Sequence, residues 1–175
     1  MDEVVLLSPD GTPIGRAPKA AVHGADTPFH LAFSCHLRDA DGRILMTRRA
    51  LGKRSWPGVW TNSFCGHPEP GESVADAVRR HARTELGAEI DHLELELPLF
   101  RYRATDPSGV VENELCPVYS AVLASELRPH PDEVMEFHWV DPADLIAASR
   151  LTPWVFSPWL VLQVERLDFL AGVRP

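Results

Sequence analysis

Between Val59 and Gly87 the chain carries three local instructions in a row. Val59–Gly66 (VWTNSFCG) reads as extended, HPEPGE breaks the run with two prolines and a glycine, and SVADAVRRHARTELG reads as a helix. Ser73 is the N-cap, with Asp76 three residues on, and Ala75, Val78, Ala82 and Leu86 then recur at helical spacing until Gly87 ends the run. In an extended segment successive side chains alternate faces, so Cys65 and His67 look the same way. VENELCP repeats the arrangement downstream with Glu112 and Glu114. Two such pairs facing one cavity supply a thiol, an imidazole and two carboxylates, a set suited to metal-assisted proton chemistry.

The flanks of this unit are mostly extended. Val4–Leu7 reads as a strand ended by SPDGTP. Phe29–Leu37 and Arg43–Thr47 read as a hairpin around DADG, where Asp and Gly supply the turn. Leu93–Ala104, Glu114–Leu123 and Glu136–Val140 read as further strands. Pro142–Ser149 reads as a short helix, and Pro158–Leu170 as a final helix with Leu160, Val161, Val164 and Leu167 on its apolar face. Strands, one internal helix, more strands, then helices predict an α+β or mixed α/β sandwich. With 175 residues, 45 % of them apolar, the whole chain is expected to form a single catalytic domain.

Charge and composition narrow the function. A net charge of −8 disfavours nucleic acid as a partner, because phosphate backbones reward a basic surface. No apolar run approaches the ~20 residues of a membrane span, and the acidic start MDEVVLLSPDG is unlike a secretory or transit signal. Cys35, Cys65 and Cys116 make an odd count, as expected of free thiols in a reducing cytoplasm. Neither a membrane nor an obligate protein partner is expected. The concentrated basic run Arg48, Arg49, Lys53, Arg54 suits a small anion within an otherwise acidic chain.

Gly66 to Gly87 is similar to a Nudix box: Gly66, Glu72, Arg80, Glu85 and Gly87 stand where that motif has Gly, Glu, Arg, Glu and Gly. His81 and Thr84 stand where a hydrolytic box carries Glu. From about Val4 to Leu167 the chain resembles the type I isopentenyl-diphosphate isomerases, a Nudix-fold family. HLAFSCHL, TRRALGKRSWPGVWTNSFCGHP, RYRATDPSGVVENELCP and TPWVFSPW carry the resemblance. It implies a Nudix-type α/β/α sandwich with a mixed sheet and the interconversion of isopentenyl and dimethylallyl diphosphate. That chemistry needs an acid and a base on opposite faces of a short alkene, and exclusion of water.

The resemblance implies proton transfer by Cys65 and Glu114, with Tyr102 hydrogen-bonded at Glu114. Trp159 would offer its ring face to positive charge. It implies a divalent ion (manganese, zinc or magnesium) on His23, His30, His67, Glu112 and Glu114, and magnesium at Glu85 bridging to the substrate. Lys19, Arg49 and Lys53 would bind the diphosphate. Without a motif, Cys35 and Cys116 read as buried apolar groups, His36, His92, His130 and His138 as structural or surface residues, and Trp56, Trp60, Trp139 and Trp154 as core or pocket wall. Two rival functions remain at this point: a Nudix hydrolase, disfavoured by His81 and Thr84, and a binding scaffold without activity.

Overall fold

A computed structural model describes residues 3–171 and arranges their strands in two mixed sheets. The smaller sheet runs β2 (Pro13–Pro18), β1 (Glu3–Leu7), β3 (His30–Leu31), β10 (Val111–Leu115), β9 (Arg101–Thr105). The larger runs β12 (Val134–Val140), β5 (Ile44–Arg49), β4 (Phe33–Arg38), β11 (Val118–Leu123), β8 (Ile90–Leu97). Two short strands join it, β6 (Trp60–Thr61) on β5 and β7 (Phe64–Gly66) on β4. Pairing is parallel for β3 with β10 and β4 with β11, and antiparallel elsewhere.

Alternation along β4 and β5 sorts side chains to opposite faces of the larger sheet. Phe33, Cys35, Leu37 and Leu45 meet Ala77, Val78, Ala82 and Leu86 of α2 (Val74–Leu86). On the other face Ile44 and Met46 meet Leu145 of α3 (Pro142–Leu151) and Trp159, Leu160 and Val164 of α4 (Pro158–Val164). The result is the expected α/β/α sandwich. A single-turn helix, α1 (Lys19–Val22), follows β2.

Helix α2 begins and ends where local chemistry requires. Ser73 Oγ accepts the Asp76 amide at 3.1 Å, satisfying one orphan donor of the first turn. Gly87 closes the helix at φ +58°, and a Cβ there would lie 2.6 Å from the Arg128 carbonyl oxygen.

Three strands expected as continuous are each cut where the chain passes between sheets. Phe29–Leu37 breaks at Ala32, Leu93–Ala104 at Pro98–Phe100, and Glu114–Leu123 at Cys116–Pro117. The crossings are stitched side by side: Ala32 N donates to Leu115 O at 2.9 Å, Cys116 N to Phe100 O at 2.8 Å, and Ser34 N to Pro117 O at 3.1 Å. Pro117 has no N–H, so the ladder cannot run through it. Apolar patterning persists across each corner because both flanks are buried, which is why one mixed sheet was expected and two are observed.

The expected hairpin is also only partial. Among strand register pairs, β4 and β5 meet only at Arg38 and Ile44, then splay to admit β6 and β7. That wedge sets Cys65 opposite Ser34. The last helix stops at Val164. The Arg166 amide then bonds Gln163 O at 2.9 Å, and a 3₁₀ turn over Asp168–Ala171 brings Leu170 into the core. Trp154, expected in the core or pocket wall, is 76 % exposed on the 3₁₀ turn Pro153–Val155. Among the described residues, no helix is long and apolar enough to cross a membrane.

Candidate active site

A cavity of about 720 Å³ opens beside the sheet crossings. Every residue singled out above except His30 lines it: Lys19, His23, Arg49, Lys53, Cys65, His67, Glu85, Tyr102, Glu112, Glu114 and Trp159. Lys19, Arg49 and Lys53 are half-buried, while Tyr102, Glu112, Glu114 and Trp159 are buried.

Register explains much of this convergence. In the smaller sheet Glu114 pairs with His30 on one side and Tyr102 on the other. Its carboxylate is divided between them. Oε2 accepts the Tyr102 hydroxyl at 2.9 Å, and Oε1 faces His67 Nε2 at 3.2 Å, His30 Nε2 at 3.5 Å and His23 Nε2 at 4.0 Å. His23, His30, His67 and Glu114 each offer one ligand atom, all within 4.8 Å of one another. Glu112 adjoins this quartet, its Oε2 lying 3.1 Å from His23 Nε2, and it accepts the Ser55 hydroxyl.

The donor set fits a divalent cation. His30 Nδ1 gives its proton to the Pro28 carbonyl at 2.8 Å, which leaves Nε2 as a bare lone pair facing His67 Nε2 at 3.2 Å. His23 Nε2 is buried and faces Glu112 Oε2 at 3.1 Å without hydrogen-bond alignment. Imidazole nitrogens and a carboxylate converging on one point are the ligands that zinc, manganese and related ions accept.

Electrostatics divide the cluster. Burial works to raise Glu114, yet the three imidazoles hold its carboxyl well below the usual carboxylate range. Burial and the neighbouring Glu114 charge push Glu112 up. Burial works to lower His23, but the two carboxylates hold it up at about 9. Desolvation prevails at His67, pushed down to about 4. Cys65 lines the same cavity, and burial pushes its thiol up to about 11, so the sulfur keeps its proton at neutral pH.

Helix α2 contributes Glu85. Its carboxylate accepts from His81 Nδ1 at 2.5 Å, and although burial opposes ionisation, the His81 contact lowers its pKa. His81 also fills the space below Gly66, where a Cβ would come within 2.5 Å of the ring. Glu72 faces away from the cavity and is held by Arg80 through bonds of 2.8 and 2.7 Å. Thr84 is exposed, its hydroxyl bonded to Arg80 O. Of the helix carboxylates, Glu85 alone lines the cavity.

The expected diphosphate ligands have partners of their own. Lys53 pairs with Glu133, and Arg49 grips the Ser55 carbonyl at 3.1 and 2.9 Å while its guanidinium lies 5.5 Å from the Trp159 ring centroid. Sequence reasoning missed the groups that brace the cavity's side chains: Ser34, Asn62 and Gln163 behind Cys65, and Ser55 at Glu112. Asn62 Oδ1 accepts the Trp159 indole N–H at 2.9 Å and the Cys65 thiol at 3.2 Å. Gln163, the chain's only glutamine, shares the buried face of α4 with Leu160 and Val164, and that lone polar group was the available signal. His36, read as structural or surface, is fully buried, while His92, His130 and His138 are exposed.

Comparison with known proteins agrees with this geometry. Residues 28–160 match the family model described as the NUDIX domain. A curated isopentenyl-diphosphate Delta-isomerase from Agromyces mediolanus is 63 % identical, spanning 97 % of this chain and 82 % of that protein. Its counterpart from Leifsonia xyli subsp. xyli is 61 % identical, spanning 99 % and 95 %. A crystal structure from Deinococcus radiodurans superposes with a TM-score of 0.72 over 95 % of this chain and 99 % of that one; at 23 % identity it speaks to the fold alone.

Proposed function

The chain belongs to the NUDIX domain family and, within it, to the isopentenyl-diphosphate Delta-isomerases, and from that premise we propose how its residues perform the reaction. The enzyme interconverts isopentenyl and dimethylallyl diphosphate. One terminal carbon of the alkene gains a proton, a carbon on the other side of the branch point loses one, and the tertiary carbon between them is transiently cationic. The substrate is a small diphosphate. We place the enzyme in the cytoplasm as one catalytic domain, a setting that suits free Cys35, Cys65 and Cys116.

Cys65 and Glu114 are the proton-transfer groups. The observation that supports this pairing is that both line one cavity, with the Trp159 ring and the Tyr102 hydroxyl beside them. The Cys65 thiol holds a proton to give, and Glu114, kept ionised by its imidazoles, can take one. Tyr102 bonds Glu114 Oε2 and so leaves Oε1 to the imidazoles. Trp159 presents a ring fixed by Asn62, and an indole face stabilises a desolvated cation by about 2 kcal/mol. A π face also cannot capture the cation covalently, as a carboxylate would.

His23, His30, His67 and Glu114 would hold a divalent metal, with Glu112 beside His23. Bound there, the metal would withdraw charge from Glu114 and tune its acidity. Glu85 would meet magnesium carried in on the diphosphate, whose charge Lys19, Arg49 and Lys53 would neutralise. Hydrolysis fits less well, because α2 offers the cavity one carboxylate rather than the several a hydrolytic box presents.

In deuterated water, isopentenyl diphosphate should yield deuterated dimethylallyl diphosphate without phosphate release. Cys65→Ser should nearly abolish exchange. Phosphate release, or turnover without solvent exchange, would sink the reading. A strong chelator should stop turnover and added divalent metal restore it; full activity in metal-free protein would remove the metal from the assignment.

A further inference from the structure

Behind the Cys65 sulfur runs a line of buried polar groups that the reaction itself does not explain. Ser34 Oγ lies 3.2 Å from Cys65 Sγ, Gln163 Nε2 donates to Ser34 Oγ at 2.9 Å, and His36 Nε2 lies 2.9 Å from Gln163 Oε1. Ser34, His36 and Gln163 are each 0 % exposed, and none lines the cavity. They touch the sulfur or each other, never the substrate. Buried polar groups are costly unless hydrogen-bonded, and these three bond to one another or to the sulfur at every polar side-chain atom except His36 Nδ1.

The line has a direction. Gln163 Oε1 can only accept, so His36 carries its proton on Nε2, and its Nδ1 is buried without a partner. The other end of the amide gives a proton to Ser34 Oγ, which also receives the Cys116 thiol at 3.5 Å. With those contacts engaging the hydroxyl's lone pairs, its single proton points to Cys65 Sγ. The Cys65 proton in turn points to Asn62 Oδ1. Each donor from His36 to Ser34 therefore aims toward the sulfur. Asn62 Oδ1 also holds the Trp159 indole, so the sulfur and the ring share one anchor.

We propose that His36, Gln163 and Ser34 form a one-way hydrogen-bond line that fixes Cys65 Sγ in its reacting orientation, each acting as a positioning residue. The proposal rests on the assignment of proton transfer to Cys65 and carries it one layer deeper. Gln163 is the member that sets direction, because its amide accepts from His36 at one end and donates to Ser34 at the other.

Direction makes the proposal testable. In metal-loaded enzyme, Ser34→Ala and Gln163→Met should each lower kcat three- to tenfold, roughly the loss of one such hydrogen bond, with KM held within about twofold. Gln163→Glu keeps the shape but accepts where the amide donated. It should turn the Ser34 proton away from Cys65 and reproduce the Ser34→Ala loss. The S–H stretching band of Cys65, assigned by difference against Cys65→Ser, should shift in all three variants, and this readout needs no turnover. An unmoved band in Ser34→Ala and Gln163→Met, or full kcat in Gln163→Glu, would overturn the line. Retained activity in Cys65→Ser would instead overturn the assignment beneath it, and the band distinguishes the two failures.

Discussion

On the Glu114 wall of the cavity, three imidazoles and two carboxylates crowd together. Behind the Cys65 wall, Ser34, Asn62, His36 and Gln163 are fully buried with no carboxylate or fixed cation among them. The first wall has converging imidazole nitrogens and displaced proton affinities, with Glu114 held down and Glu112 pushed up. The second, His36 Nδ1 apart, satisfies itself through directed neutral hydrogen bonds. A buried charged cluster needs a counter-charge, whereas a neutral network needs only complementary donors and acceptors. One wall thus offers a group that could hold a cation, and the other holds a sulfur and a ring in place.

The strongest way to break this contrast is to cut each wall at its centre. Cys65→Ser and Glu114→Gln should each cost about 10³-fold in kcat, within the usual range for a proton-transfer group. Only Glu114→Gln should also lose bound metal, as metal analysis of the purified proteins would reveal. Equal metal loss in both would erase the distinction.

Acidity should move the walls in opposite directions. Burial pushes His36 down to about 4, below its ordinary 6.5. The stability from that buried neutral ring is complete above pH ~6.5 and lost as pH falls toward 4, a span worth about 3 kcal/mol. Urea unfolding of wild type against His36→Gln over that range should expose the difference. In metal-free protein His23, held up at about 9, acts in the other sense: its stabilisation is complete below pH ~6.5 and fades as pH rises through 9. Parallel pH profiles for His36→Gln and His23→Gln would refute the opposition.

Divalent metal at a hundredfold excess over its Kd should stabilise wild type by about 2.7 kcal/mol in thermal melts, and His67→Ala should lose that gain while Gln163→Met keeps it. Trp159→Leu should cost about 2 kcal/mol of transition-state stabilisation, roughly thirtyfold in kcat, and Trp159→Phe less; a Phe variant as poor as Leu would argue for packing alone. As a control outside both walls, Ser73→Ala should cost about 1 kcal/mol of stability and leave kcat unchanged.

How far the chain could be read follows the range of the forces involved. Helix α2 was legible from cap to cap because Ser73, Asp76 and Gly87 act within a turn of their own backbone. The pair Glu112/Glu114 was legible as a shared face because alternation within β10 is local, whereas β7 ends at Gly66 and leaves His67 beyond the strand that carries Cys65. The three corners were not, since Ala32, Phe100 and Cys116 look like ordinary strand residues until their amides find partners across the crossing.

The amino-acid order alone settled the capped helix, the alternating pair Glu112/Glu114 and the basic run, each a matter of near neighbours along the backbone. Only the tertiary structure decided that β7 wedges against β4, which sets Ser34 behind Cys65, and that α4 turns its one glutamine onto the same hydroxyl. Positions 34, 65 and 163 are far apart in the chain. Hydrogen bonds reach about 3 Å, so nothing short of the folded arrangement could bring these groups into register.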